Sequence, residues 1–318
     1  MRTIALALLL VWCLGGLGCA VLPVKPDGSP EDTPVDAYLA GGARVMWIAP
    51  HPDDELFPGP LLARASLHHG NPVYLLVLTH GDGGECGLSR GCDPDVATVR
   101  GEEMRRAAAH YRAELQHERF WNAPLPVSSF PARQDILTRW QSEGDPLRVM
   151  ATAIRRFKPD LLLTFDPHHG ATGHPEHQLT ARLAGAALRL AADPDIELGG
   201  LAPHRVERTY QLVNRYWPLV LVGLSDPPPV TEQFDTTLPC GQRTCLEVML
   251  TAIREHRTQY RDMQKVAAHR GAFEVLNLRQ VDPYTQGWDP AEPAERPYGR
   301  SAGGWSSETE PVRVTLAE

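Results

Sequence analysis

The chain has 318 residues, 42% of them hydrophobic and 22% charged, a globular composition that excludes a wholly disordered protein and suffices for one large α/β domain or two small ones. Its 31 Lys and Arg stand against 39 Asp and Glu, a formal charge of -8. With no basic stripe, it is not the sequence of a dedicated nucleic-acid binder, because phosphate backbones are held by clustered positive charge.

Arg2, an apolar run over residues 4–17 and the small-residue stretch Gly-Gly-Leu-Gly-Cys-Ala read as an export signal over residues 1–20. The run is short for a permanent span of ~20 residues. Cleavage after Ala20 is the first expectation; the alternative is lipid attachment at Cys19, although Gly16 stands where such signals usually carry Leu. The mature chain is thus expected to be periplasmic or extracellular, without a membrane span, and free or held by that lipid anchor. Residues 21–42, rich in Pro and acid, read as a flexible spacer before a folded region over 43–280.

From there short apolar runs alternate with helical patterns. Residues 45–49 and 73–79 read as buried strands around a helix at 61–69; a Gly-rich loop covers 80–92, and 96–115 read as one long helix. A short strand at 118–121, a Pro-rich connection, a helix at 147–157 halted by Lys158-Pro159, a strand at 160–165 and a helix at 178–192 follow. Such alternation predicts an α/β fold with a mostly parallel sheet covered by helices on both faces, in which ligands sit at the carboxyl ends of the strands. Later signals are weaker: strands at 208–216 and 219–224, an irregular excursion over 227–245, one helix at 246–265, and an irregular tail over 281–318 containing Trp288 and Trp305.

Apart from Cys13 and Cys19, the cysteines are Cys86, Cys92, Cys240 and Cys245. Export favours short-range bridges Cys86–Cys92 and Cys240–Cys245 among the three pairings. A four-thiolate structural zinc is the rival, disfavoured by the loose spacings and the oxidising compartment.

The chemistry concentrates after two strands. One cluster is His51-Pro52-Asp53-Asp54-Glu55; the other runs from Asp166 to His177 and holds His168, His169, His174, Glu176 and His177. First-turn capping explains Asp53 or Glu55 but not His51. Both clusters follow strand ends, so the fold brings them to one rim. Catalytic zinc takes three His and carboxylate ligands and leaves a position for water. His51 and Asp54, three apart, share a face and suit such a metal, leaving Asp53 free to act. His174 and His177 have the same spacing, so one ligates and the other faces substrate.

Together with Thr79-His80-Gly81-Asp82-Gly83-Gly84-Glu85, Arg100-Gly101-Glu102-Glu103, Thr164-Phe165-Asp166-Pro167 and Gly173-His174-Pro175-Glu176-His177, the first motif resembles the zinc-dependent N-acetylglucosaminyl de-N-acetylases. That family includes the phosphatidylinositol-glycan deacetylase and bacterial enzymes of mycothiol and bacillithiol synthesis. The resemblance covers about residues 44–190, with a fainter echo in His256-Arg257-Thr258-Gln259. It implies a Rossmann-like fold, Zn2+ held by His51, Asp54 and His177, Asp53 as general base and a protonated His174 facing the developing oxyanion. Glu176 or Asp166 is expected to orient His174 from behind. Glu176 stands where Asp is common, His80 where Arg is frequent, and the region after Trp121 lacks the family's usual Gly-and-Asp stretch, which bears on substrate choice.

Arg100 is a candidate for binding substrate, against the bland alternative of an ion-paired helix residue. His168 and His169 read as rim residues, and His256 as a pocket residue or simply a partly buried histidine. The expected function is an exported hydrolase that removes the N-acetyl group from an N-acetylated amino sugar in a glycan or glycoconjugate. The alternatives are a metal-dependent phosphoesterase, which usually wants two metals and more acidic ligands, and a carbohydrate-binding protein without turnover.

Overall fold

A computed structural model describes residues 33–125, 129–214, 229–287 and 290. In chain order the strands are β1 (Val45–Ala49), β2 (Val73–Thr79), β3 (Glu114–Phe120), β4 (Leu161–Phe165), β5 (Arg208–Leu212), β6 (Glu232–Asp235), the two-residue β7 (Pro239–Cys240) and β8 (Arg243–Thr244), and β9 (Val275–Val281). The helices are α1 (Val35–Leu39), α2 (Gly59–Ala63, extended by a wider turn to His69), α3 (Val96–His110), α4 (Arg133–Glu143), α5 (Pro146–Phe157), α6 (Pro175–Ala192), α7 (Cys245–Ala252) and α8 (Tyr260–Ala268).

The seven-stranded sheet runs β3-β2-β1-β4-β5-β9-β6. Its first five strands are parallel, and β9 and β6 close one edge antiparallel. The expected mostly parallel α/β sheet is therefore present. Because side chains alternate across a strand, β1 feeds two cores. Val45, Trp47 and Ala49 pack with Leu61, Met104 and Val248 on one face. Met46 and Ile48 pack with Trp140, Ile154 and Leu183 on the other. Truncating a side chain as buried as Trp47 to Ala costs about 3–5 kcal/mol.

Several elements and boundaries differ from the sequence reading. The folded region starts before Ala43: α1 lies inside the expected spacer, where Val35 and Leu39 are buried in the core, Asp36 meets Arg64 at 2.7 Å, and the Val35 N–H donates to Glu232 at 2.6 Å. One amphipathic turn among prolines is too short to show a period. The long helix expected over 96–115 stops at His110, with Arg112 at φ 50°, so β3 can pair with β2 from Glu114. The helix expected over 246–265 breaks between Ala252 and Tyr260 into two tight turns. Finally α4, with Ile136, Leu137 and Trp140 buried, occupies the supposed connection, and β9 is a half-buried antiparallel strand lacking the apolar run of its parallel neighbours.

Both expected disulfides, Cys86–Cys92 and Cys240–Cys245, are formed. Among the described residues no helix is long and apolar enough to cross a membrane. The signal at 1–20, the spacer before residue 33, the strand expected at 219–224, Trp288 and the tail from 291 lie outside the described residues.

Candidate metal centre

In the order β3-β2-β1-β4-β5, the chain moves outward in one direction from β1 and in the other from β4. Loops leaving the carboxyl ends of these two neighbours diverge and leave a crevice, the usual ligand position of such sheets. His51 to Asp54 leave β1 and Asp166 to His177 leave β4. This places both clusters in one crevice although more than a hundred residues separate them.

Three donor residues converge there. Asp54 Oδ2 lies 3.3 Å from His51 Nδ1, and Asp54 Oδ1 lies 3.1 Å from His177 Nε2. The two ring nitrogens are 3.2 Å apart. Asp54 is 3% exposed and His177 4% exposed, so this is an interior cluster. The other nitrogen of each ring is engaged. His177 Nδ1 donates to the Gly170 carbonyl at 2.7 Å, and His51 Nε2 makes a short contact with the Glu176 carboxylate. With the far nitrogen of each ring so engaged, His51 Nδ1, once it gives up its proton, and His177 Nε2 are the nitrogens left to face a cation beside the carboxylate. Two imidazoles and one carboxylate are a donor set suited to zinc. Phe165 stacks on His177 at 4.2 Å with 3° between the planes and fixes its ring.

The electrostatics agree. Burial opposes the charge on Asp54, but His177 and His51 hold its carboxyl far below the usual range. Burial alone would lower His51, but Asp54 and Glu176 raise it to about 10. A proton is thus strongly held where a metal would compete for the same lone pairs.

Asp53 does not join this cluster. It has φ 113° and ψ -22°, a left-handed conformation that costs a non-glycine residue about 1–3 kcal/mol. Burial, then the Asp54 charge, raises its carboxyl to about 6. Gln259 Nε2 makes a short hydrogen bond to Asp53 Oδ2, and the Asp53 N–H donates to Glu55 Oε2 at 3.1 Å.

His174 caps α6: its Nδ1 accepts the Glu176 N–H at 3.2 Å, with Pro175 at the first helical position. The accepting Nδ1 leaves the ring proton on Nε2. Burial, then the neighbouring His51 and His177, pushes the imidazole far below its ordinary range. Accepting at Nδ1, the ring offers its one N–H from Nε2, a neutral form that differs from the protonated His174 expected.

Glu176 and Asp166 do not orient His174 through their carboxylates. Glu176 contacts His51 and accepts from Asn122 Nδ2 and the Ala123 N–H, each at 2.7 Å. Asp166 accepts backbone N–H groups of His168, His169 and Ala171, shaping the loop whose Gly170 carbonyl steers His177. Arg100 also differs from a free substrate-binding residue. It is 6% exposed and donates to the Glu85 carbonyl at 3.1 Å. A Cβ at Gly81 or Gly84 would come within 2.7 Å or 2.5 Å of its guanidinium, so the glycines let the loop fold over it. Asn122 carried no sequence signal, and Glu103 and Gln259 stood in quoted motifs without a role of their own. His256 is fully buried, with its Nε2 on Glu55 at 2.7 Å.

A model of the family described as "PIG-L: GlcNAc-PI de-N-acetylase" matches residues 46–188. A 1D-myo-inositol 2-acetamido-2-deoxy-alpha-D-glucopyranoside deacetylase of Streptomyces griseus is 32% identical over 243 residues, covering 68% of this chain and 74% of that protein. A deacetylase of the same name from Kineococcus radiotolerans is 30% identical over 197 residues, and the match spans 55% of this chain and about half, 53%, of its relative. Among solved structures, the N,N'-diacetylchitobiose deacetylase of Pyrococcus horikoshii superposes with a TM-score of 0.55 at 19% identity, over 76% of this chain and 84% of that one, a likeness of fold. Motifs, fold and relatives converge, and the chain belongs to the PIG-L family of metal-dependent de-N-acetylases acting on acetylated sugars.

Proposed function

We propose that this chain is an exported zinc-dependent hydrolase that removes the N-acetyl group from an N-acetylglucosamine-type sugar in a glycan or glycoconjugate. The observation that carries the reading is the convergence of His51, Asp54 and His177, with the carboxylate of Asp53 beside them but engaged elsewhere. The relatives named for deacetylation of an acetamido sugar supply the reaction class. Export rests on the character of residues 1–20 and on the two disulfides, which suit an oxidising compartment.

His51, Asp54 and His177 would hold the zinc, which supplies a Lewis acid that makes water nucleophilic near neutral pH and polarises the acetamide carbonyl. Asp53 accepts the proton of the attacking water as the C–O bond forms. The Nε2–H of neutral His174 donates to the oxygen of the acetyl group as it gains charge. Asp53 then gives its proton to the sugar nitrogen as the C–N bond breaks, leaving acetate and a free amine.

Acetate release from N-acetylchitooligosaccharides and from N-acetylglucosaminyl inositol, measured with zinc-loaded protein, tests the reading. Turnover on either, lost in Asp53→Asn, is expected. Phosphate-ester cleavage with two metals per chain, or glycan binding with no turnover across both classes, would overturn it.

A further inference from the structure

The break between α7 and α8 is where the chain gives up helical hydrogen bonds, and its side chains turn inward. His256 Nε2 donates to Glu55 Oε1 at 2.7 Å, with both side chains fully buried. The other oxygen of Glu55 accepts the Asp53 N–H at 3.1 Å. Gln259 Nε2 donates to the Asp53 carboxylate. One short segment thus grips Asp53 twice: through its backbone by way of Glu55, and directly at its side chain.

The segment is itself held from two sides. Thr258 donates from N to Glu103 Oε1 at 2.9 Å and from Oγ1 to Glu103 Oε2 at 2.7 Å. Its carbonyl accepts the Gly87 N–H at 2.8 Å, from within the loop closed by Cys86–Cys92. A Cβ at Gly87 would fall 2.5 Å from that carbonyl oxygen, so the approach requires glycine. Asp53 sits at φ 113°, and a non-glycine residue stays there only if its surroundings determine it.

We propose that His256-Arg257-Thr258-Gln259 is the positioning element of the proton-transfer carboxylate: His256, acting through Glu55, fixes the backbone of Asp53, and Gln259 fixes its side chain. Neither residue is a metal ligand. The assignment rests on Asp53 as the proton acceptor. It accounts for a buried Glu–His pair that metal binding does not use, and for a helix broken at the position where an unbroken one would carry Gln259 away.

The test uses full-length zinc-loaded protein and the variants Gln259→Leu, His256→Leu and His256→Gln. Three quantities are measured: kcat and KM for acetate release, zinc content, and hydrogen exchange of the backbone over residues 51–57. In Gln259→Leu, kcat is expected to fall about 10- to 100-fold with KM and zinc content nearly unchanged, the size of loss a small misplacement causes. His256→Leu is expected to lose kcat similarly and to exchange faster at 51–57. His256→Gln, which keeps an N–H donor for Glu55, restores most of both. Gln259→Leu combined with Asp53→Asn is expected to be no slower than Asp53→Asn alone.

Unchanged kcat and exchange in Gln259→Leu and His256→Leu, losses that fall on KM or zinc content, or multiplicative losses in the double variant would overturn the proposal. If His256→Leu does not fold, Gln259→Leu, whose residue is only half-buried, carries the test. A wild-type protein that releases no acetate, with exchange at 51–57 still quickened in His256→Leu, would sink the functional reading while supporting the positioning role.

Discussion

His51 Nδ1 and His177 Nε2 face each other at 3.2 Å beside the carboxylate of Asp54, with the far nitrogen of each ring engaged by Glu176 or by the Gly170 carbonyl. A metal ion that displaces the His51 proton would share both ring nitrogens with the Asp54 carboxylate, so the cluster is suited to holding one. Purified protein is expected to hold about one zinc per chain, and chelation to lower its melting temperature. Saturation at a thousand times Kd stabilises the folded state by about 4 kcal/mol. Metal analysis with paired melting curves checks both, and His177→Ala should abolish both.

Glu176 holds the tautomer of His51 without itself completing the three-ligand cluster. Glu176→Gln preserves the shape but presents an amide where a carboxylate received the ring N–H. Zinc affinity is expected to fall about 10- to 100-fold, measured by competition with a chelator of known affinity. An unchanged affinity would show that the contact with His51 does not steer the ligand.

Asp53 is set apart from the cluster by its left-handed backbone and its partners Gln259 and Glu55. Asp53→Asn is expected to lower kcat by about 10²- to 10⁴-fold, the range for loss of a general base, with zinc content intact. Metal lost along with activity would instead make Asp53 a ligand.

On the proposed mechanism His174 donates from Nε2 as a neutral ring, because the helix N-terminus occupies its Nδ1. His174→Ala is expected to cost about 10²- to 10³-fold in kcat, the usual price of one oxyanion donor, with a smaller change in KM. His174→Gln, which retains an N–H donor, should recover part of the loss. Steady-state kinetics on the three proteins decides.

Asp36 ties α1 to the body of the fold. Its pKa is lowered chiefly by the hydrogen bond from Arg64 and further by His69. A depressed folded-state pKa gives stability that is present above the unfolded value of about 3.9 and lost as pH falls through the folded value. Asp36→Asn should therefore melt lower than wild type near neutrality and converge with it in strong acid. A constant gap across that window would point to lost packing rather than lost charge.

Much of this was legible in the sequence, and the misses share a cause. Strands β1, β2 and β4 are largely apolar runs because both of their faces are buried, and the ends of β1 and β4 mark where His51, Asp54, His174 and His177 emerge. Three-residue spacing suggested which residues share a face, while the choice of His177 as ligand came from family resemblance. Harder to see were features defined by distant partners. Val35 and Leu39 form one turn whose burial depends on β6 and α2, and β9 is half-buried with a mixed pattern. The segment around His256 reads as helix because its local propensities favour one; what breaks it is the demand of Glu55, Glu103 and Asp53, some 150 to 200 positions away. The burial of Arg100 was not legible because glycines that fold over a guanidinium leave no pattern of their own.

The central claim is that one zinc held by His51, Asp54 and His177 serves a hydrolysis in which Asp53 moves the proton. Acetate released from acetylated chitooligosaccharides and N-acetylglucosaminyl inositol, titrated against zinc added to metal-free protein, tests it most directly. Release is expected to rise in proportion to zinc and level off at about one equivalent, and to be absent at every zinc level in Asp53→Asn. Release that is independent of zinc, that needs two equivalents, or that survives Asp53→Asn would contradict it.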